Sequence, residues 1–252
     1  MKKIFLKFIN ILSENMHTDF LGSSYGGWYF VDTENLIQGW VISGGVGTDI
    51  SFDIELMDKY KSKIIFIDPT PEAISHLNCV VESIGSVKSR EYVEGGKQSI
   101  QSYGLANVDK NNFLIEKKAL HNTNNTTLRF YKPKNSNHVS HSISNWQNNY
   151  SRSTPFIKVS TINLSTILKK YKIHKVEILK LDIEGAEYSV LLNMIKNKIY
   201  PNQILVEFDE LQTQRFTKYL RYLYLILKLR NNYNLVHTNN YPNFLFVKRE
   251  KI

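Results

Sequence analysis

ISGGVGTDISFD, residues 42–53, decides how this chain folds. An apolar run, QGWVIS at 38–43, leads into it, and helical spacing over Asp49–Tyr60 leads out. The segment therefore reads as strand, glycine turn, helix. Gly44, Gly45 and Gly47 permit a tight turn and let a ligand approach the backbone closely. In open α/β sheets such a turn lies at the carboxyl end of a strand, where ligands bind.

Working outward, KIIFID at 63–68 is an apolar run that ends in an acid, as a buried parallel strand does. Pro69 and Pro71 break it, and a helix is expected near Glu72–Asn78. Strands are expected at Phe113–Ala119 and Thr126–Tyr131. Residues 132–153, rich in Asn, Ser, His and Pro, read as a lid-like insertion. A helix is expected at Ser160–Lys172, a strand at Val176–Asp182 and a helix at Ala186–Lys196. Gln203–Phe208 reads as a further strand and Gln214–Arg230 as an amphipathic helix. Leu235–Thr238 and Phe244–Lys248 read as a closing antiparallel pair. The alternation predicts a doubly wound, mostly parallel, seven-stranded Rossmann-like sheet with an antiparallel last strand. Residues 1–36 are expected to be an N-terminal helix and loop extension, and 37–252 the main domain.

The turn also speaks to the ligand. A dinucleotide fingerprint needs a third small residue, but Ile50 stands there. Asp49 would repel a pyrophosphate, whereas it suits the ammonium of S-adenosylmethionine, a sulfonium cation without phosphate. Asp68 closes the next strand about twenty residues after the turn, where an acid can accept from ribose hydroxyls; capping of the next helix is the plainer alternative. In LKLDIEGAEYSVL, 179–191, Asp182 and Glu184 close a strand and Gly185 turns into a helix. These carboxylates would face the crevice of the glycine turn. One can hold the methionine end of the cofactor and another can accept a substrate proton. Glu187 favours a helix N-terminus. HVSHSISNW at 138–146 brings His138 and His141 into the insertion, and a histidine suits general-base work near neutrality. Glu207 and Asp209 follow another strand and can also line the crevice. No metal-binding spacing occurs, so no metal ligand is assigned and dependence on a divalent metal stays open.

This ordered set, ISGGVGTDISFD, FIDPTPEAI, KVSTINLSTIL, LKLDIEGAEYSVL and ILVEFDE, resembles the FkbM family of methyltransferases over about residues 26–210, with YGGW at 25–28 preceding the core. The resemblance implies the class I methyltransferase sheet and O-methylation of sugars or natural products. It implies cofactor contacts at Gly44, Gly45, Gly47, Asp49, Ser51, Asp68 and Asp182. Ser43 and Gly44 depart from the residues many members carry.

The net charge is +9, from 32 Lys+Arg against 23 Asp+Glu. A basic excess favours anionic partners, but the charges are scattered as on a solvated surface. The helix at 214–230 interleaves aromatic and basic residues; packing on the sheet is favoured over weak contact with a membrane surface. The single cysteine, Cys79, excludes an internal disulfide and is expected to be buried; the reducing cytoplasm is the default location. Lys7 interrupts the apolar start, which is too short to span a bilayer. The leading expectation is a methyl transfer from S-adenosylmethionine to a sugar or glycan hydroxyl in surface-polysaccharide modification, with Asp182, His141 or Glu184 as proton acceptor. An RNA methyltransferase, a nicotinamide oxidoreductase and a non-catalytic binding protein are the rivals; nucleic acid is not the favoured partner, and the oligomeric state stays open.

Overall fold

The computed structural model describes residues 2–133, 141–143, 153–213, 215–236 and 241–250. The N-terminal segment contributes α1 (Lys2–Leu12) and the short strands β1 (Ser13–Glu14), β2 (Asp19–Leu21) and β3 (Trp28–Phe30). Next come β4 (Trp40–Gly44), α2 (Ser51–Tyr60), β5 (Lys63–Ile67) and α3 (Pro71–Glu82). A long connection leads to β6 (Phe113–Glu116), followed by β7 (Ala119–Leu120), β8 (Thr127–Tyr131), β9 (Phe156–Ile162) and α4 (Leu164–Lys170). The chain closes with β10 (Ile178–Leu181), α5 (Glu187–Lys196), β11 (Gln203–Glu207), α6 (Phe216–Leu229), β12 (Tyr233–Val236) and β13 (Asn243–Lys248).

The main sheet has eight strands in the order β1-β12-β13-β11-β10-β4-β5-β6. β13 runs antiparallel to both of its neighbours, β11 and β12, and the other pairings are parallel. The expected antiparallel last strand is present. The count of seven is short by one, because β1 pairs with β12 through only Ser13 and Glu14; a two-residue strand has no readable period. β7, β9 and β8 form a separate three-stranded sheet.

Alternation along the strands builds two cores, one on each face. Ile42, Ile65, Leu179, Leu181, Ile204 and Val206 face one core, which α1, α4, α5 and α6 cover. Val41, Ile64, Phe66, Ile178 and Leu205 face the other, beneath α2 and α3. At roughly 25 cal/mol per Å² of apolar surface, this two-sided burial is the main driving force for the fold.

Residues before 37 share these cores. Phe5 and Ile9 are buried, with the Phe5 ring 5.0 Å from that of Tyr219 on α6. Trp28 and Phe30 join the opposite core. The Gln203 side chain bonds both Val31 backbone groups, donating to its carbonyl at 2.7 Å and accepting from its N–H at 2.8 Å. Packing shows no break at residue 36.

Two local expectations need correction. Ser160–Ile162 belongs to strand β9, and the helix begins at Leu164. FIKVSTI alternates and is β-branched, and Asn163 caps the helix by accepting from the Thr166 N–H at 2.9 Å. Cys79 is exposed. α3 buries Ala73, Leu77 and Val80, a stripe whose phase leaves Cys79 outside.

α6 packs on the sheet through Tyr219, Tyr222, Leu225, Ile226 and Leu229, while Phe216, Leu220, Tyr224 and Leu227 remain exposed. Among the described residues no helix is long and apolar enough to cross a membrane. Of the insertion at 132–153, residues 132, 133, 141–143 and 153 are described; the rest, His138 included, lies outside the described residues.

Candidate functional site

A cleft of about 610 Å³ opens at the carboxyl ends of β4, β5, β10 and β11. Its floor is the glycine turn. Gly45 has φ +73° and Gly47 φ +53°, the left-handed region that glycine enters without strain. A Cβ on Gly45 would stand 1.6 Å from the Asp182 carbonyl oxygen. Only glycine lets these two strand ends meet. The Gly45 N–H donates to the Ile67 carbonyl at 2.9 Å, and the Asp182 N–H to the Gly44 carbonyl at 3.0 Å.

Asp68 clamps the turn. Its Oδ2 accepts from the Val46 and Gly47 N–H groups at 3.0 and 3.2 Å. Its Oδ1 accepts from the Thr70 N–H at 2.8 Å and the Thr70 hydroxyl at 2.6 Å, at the start of α3. One carboxylate thus braces the turn and fixes Thr70, the residue that opens α3, with all of about four acceptor positions engaged. A ribose hydroxyl reaching Asp68 would exchange with one of these donors.

Asp49 is buried and organises the cleft wall. It accepts from the Ser23 hydroxyl at 2.6 Å, from the Gln98 amide at 3.1 Å and from the Ser51 N–H at 3.0 Å. The Thr48 hydroxyl donates to the Gly96 carbonyl at 2.7 Å. The loops around Ser23–Gly27 and Val93–Gln98 are thereby tied to the start of α2. Ser51 is fully buried and its hydroxyl accepts from the Ser23 N–H at 2.7 Å. Gly44 packs under Leu120 and Ile183. Both support the cleft from behind, whereas Gly45, Gly47, Asp49 and Asp68 line it.

Asp182, Glu184 and His141 line the opposite wall together with Glu207 and Asp209. The turn that carries Asp182 and Glu184 is held by Glu187, whose carboxylate accepts from the Ile183 and Gly185 N–H groups at 3.0 and 3.1 Å. Glu184 sits at φ +54°, and its carbonyl accepts from the Ser142 hydroxyl at 2.8 Å. This bond joins the described piece of the insertion to the cleft. β10 and β11 are parallel, with Leu181 opposite Val206, so the next residues, Asp182 and Glu207, emerge side by side. One oxygen each of Asp182, Glu207 and Asp209 lies within 4.8 Å of the others. The sequence contained these acids but not their convergence, which depends on strand register. Tyr25 and Lys180, which lie in YGGW and LKLDIEGAEYSVL but are assigned no role from sequence, are two further lining residues.

The acids raise one another. Burial first, then Asp68, holds Asp182 up at about 6 despite the opposing pull of Lys180. Burial, Asp182 and Glu184 push Glu207 up to about 9, and Asp209 is raised for the same reasons. Burial and the facing acids also raise the Tyr25 phenol. A carboxyl raised in the folded state keeps its proton there after the unfolded chain has lost it near 4.5. Its stabilisation is full below that value and is lost as pH rises toward about 9. The melting temperature is therefore expected to fall between about pH 5 and pH 8. Glu207→Gln should flatten that slope; an unchanged slope would dismiss the cluster as its source.

Lys180 supplies the balancing charge from below. It is 3% exposed, and its Nζ lies 3.1 Å from Asp53 Oδ2 and 3.3 Å from the Ser43 hydroxyl.

An open α/β sheet with a glycine turn and an acid-lined cleft at its carboxyl edge places the cleft where ligands bind in such sheets. More particularly, the chain belongs to the FkbM methyltransferase family: the family's model, the methyltransferase FkbM domain, matches residues 45–235. The chain accordingly has a methyltransferase fold. No curated protein and no solved structure matches it.

Proposed function

We propose that this protein transfers a methyl group from S-adenosylmethionine to a hydroxyl of a sugar or glycan, in the modification of a surface polysaccharide. The observation that carries the reading is the charge of the cleft. Six acids line it (Asp49, Asp68, Asp182, Glu184, Glu207 and Asp209), of which Glu207 and Asp209 are held toward the neutral form, against one lysine already bonded to buried Asp53. Such a wall suits a sulfonium cation and an ammonium, and repels the phosphates of a dinucleotide or of RNA. The +9 charge of the whole chain is thus no guide to its site. We read seven of the eight strands as the class I methyltransferase sheet, with β1 added at its edge.

S-adenosylmethionine, when bound, supplies a methyl carbon already activated by its sulfonium. The residues present fit it: Gly45 and Gly47 line the floor, and Asp49 and Asp182 offer charge to the methionine end. Transfer forms an oxygen–carbon bond and breaks the carbon–sulfur bond, whose electron pair stays on sulfur. The hydroxyl proton must go to a base. Asp182, His141 and Glu184 line the cleft, and Asp182, near 6, is largely ionised at neutral pH and able to accept. The other task of the chain is to hold the acceptor oxygen in line with the methyl carbon.

The test is calorimetric titration with S-adenosylmethionine and with S-adenosylhomocysteine. Micromolar binding of both is expected, abolished in Gly47→Arg and weakened in Asp68→Ala. No heat with either at high protein concentration sinks the reading. Salt-sensitive RNA binding in its place would favour the nucleic-acid rival.

A further inference from the structure

We propose that Asp182, Glu207 and Asp209 bind one hard divalent cation in the cleft, and that this cation orients the acceptor's oxygen atoms. Their three oxygens lie within 4.8 Å of one another. Two oxygens on opposite sides of a calcium ion, each at about 2.4 Å, span about 4.8 Å; around magnesium, at about 2.1 Å each, they span about 4.2 Å. The three oxygens are thus gathered on the scale of one hard cation's coordination shell.

A second observation points to a missing partner. Asp209 is 4% exposed, and its Oδ2 has no hydrogen-bond partner. A buried carboxylate oxygen without a donor is costly; a retained proton, a paired basic side chain or a coordinated cation relieves it, and only the cation engages all three acids at once. Among the described residues no basic side chain is paired with Asp209. Lys180 is held by Asp53, and Glu207 draws a single neutral donor, the Gln212 amide at 3.2 Å. Among the described residues no other group of three acids, histidines or cysteines converges this closely. The donor set is all oxygen, which selects magnesium, manganese or calcium over zinc or copper.

Three carboxylates leave about three positions of an octahedral shell for water and for the acceptor. Neighbouring hydroxyls of a sugar would chelate there, and a coordinated hydroxyl gives up its proton more readily. Asp182, engaged as a ligand, then leaves proton acceptance to His141 or Glu184. This role toward the acceptor rests on the methyl-transfer reading; the cation site itself does not.

The test uses the full chain, stripped with chelator and titrated with manganese chloride while the paramagnetic resonance of free Mn²⁺ is followed. One saturable Mn²⁺ per chain is expected, displaced by Mg²⁺ or Ca²⁺. Glu207→Gln and the double variant with Asp209→Asn should weaken it at least about tenfold, roughly 1.4 kcal/mol. Circular dichroism and S-adenosylhomocysteine titration on each variant report whether it is folded; Glu207→Gln, at a less buried position, serves if the double variant is not. Absence of a saturable site in the wild type, or equal affinity in folded variants, overturns the proposal. Manganese binding without S-adenosylhomocysteine binding would sink the methyl-transfer reading and uphold the cation site. The converse would sink the cation site alone.

Discussion

Gly45→Ala is expected to abolish cofactor affinity and to cost about 4 kcal/mol or more of stability, a loss large enough to identify its cause. The added Cβ falls 1.6 Å from the Asp182 carbonyl oxygen, far inside contact distance, and neither partner is a flexible side-chain end. φ of +73° adds strain of roughly 1–2 kcal/mol for any L side chain. Relief requires the ends of β4 and β10 to part, which displaces Asp182 and the Val46 and Gly47 N–H groups that hold Asp68. Thermal denaturation should show a drop of roughly 8–16 °C, at about 2–4 °C per kcal/mol for a chain of this size. Calorimetry on the folded fraction should show affinity for S-adenosylhomocysteine reduced about 100-fold or more, roughly 2.7 kcal/mol. A variant that melts and binds like the wild type would mean that the turn can rearrange freely, contrary to its geometry.

Lys180→Met is expected to destabilise the chain by about 3–5 kcal/mol, because it strands Asp53 as an uncompensated charge in the core. Asp53 is fully buried, and its Oδ1 already lacks a hydrogen-bond partner. The double change Lys180→Met with Asp53→Leu should recover most of the loss, since two apolar groups can replace a buried pair at little cost. Urea unfolding of the wild type, Lys180→Met, Asp53→Leu and the double variant measures the coupling directly. Equal stabilities for the single and double variants would refute it. The single variant should also raise Asp182 further, because Lys180 is the charge that pulls it down.

What could be read from sequence was what depends on neighbours along the chain. The glycine turn, the acid-ended apolar strands and the helix phases are local, and they placed Gly45, Gly47, Asp49, Asp68 and Asp182 around one cleft. Gly44 and Ser51 sit in the same motif but face inward, a distinction that needs the turn's own geometry. The meeting of Asp182 with Glu207 and Asp209 follows from the pairing of β10 with β11, and no spacing in the sequence encodes that register. The exposure of Cys79 was legible from the stripe Ala73, Leu77 and Val80. Ser160–Ile162 was misread because a strand runs almost directly into a helix, with Asn163 the sole punctuation.

β13 lies between β11 and β12, although it follows both along the chain. A nascent chain emerging from the ribosome has therefore made β11 before its outer neighbour, β13, exists. Until residues 243–248 are made, β11 offers an unsatisfied backbone edge, and β12, with β1 beside it, has no seat in the sheet. Such an edge is open to pairing with other chains. It is also the strand that ends at Glu207, so one wall of the cleft gains its flanking support only when the last strand arrives.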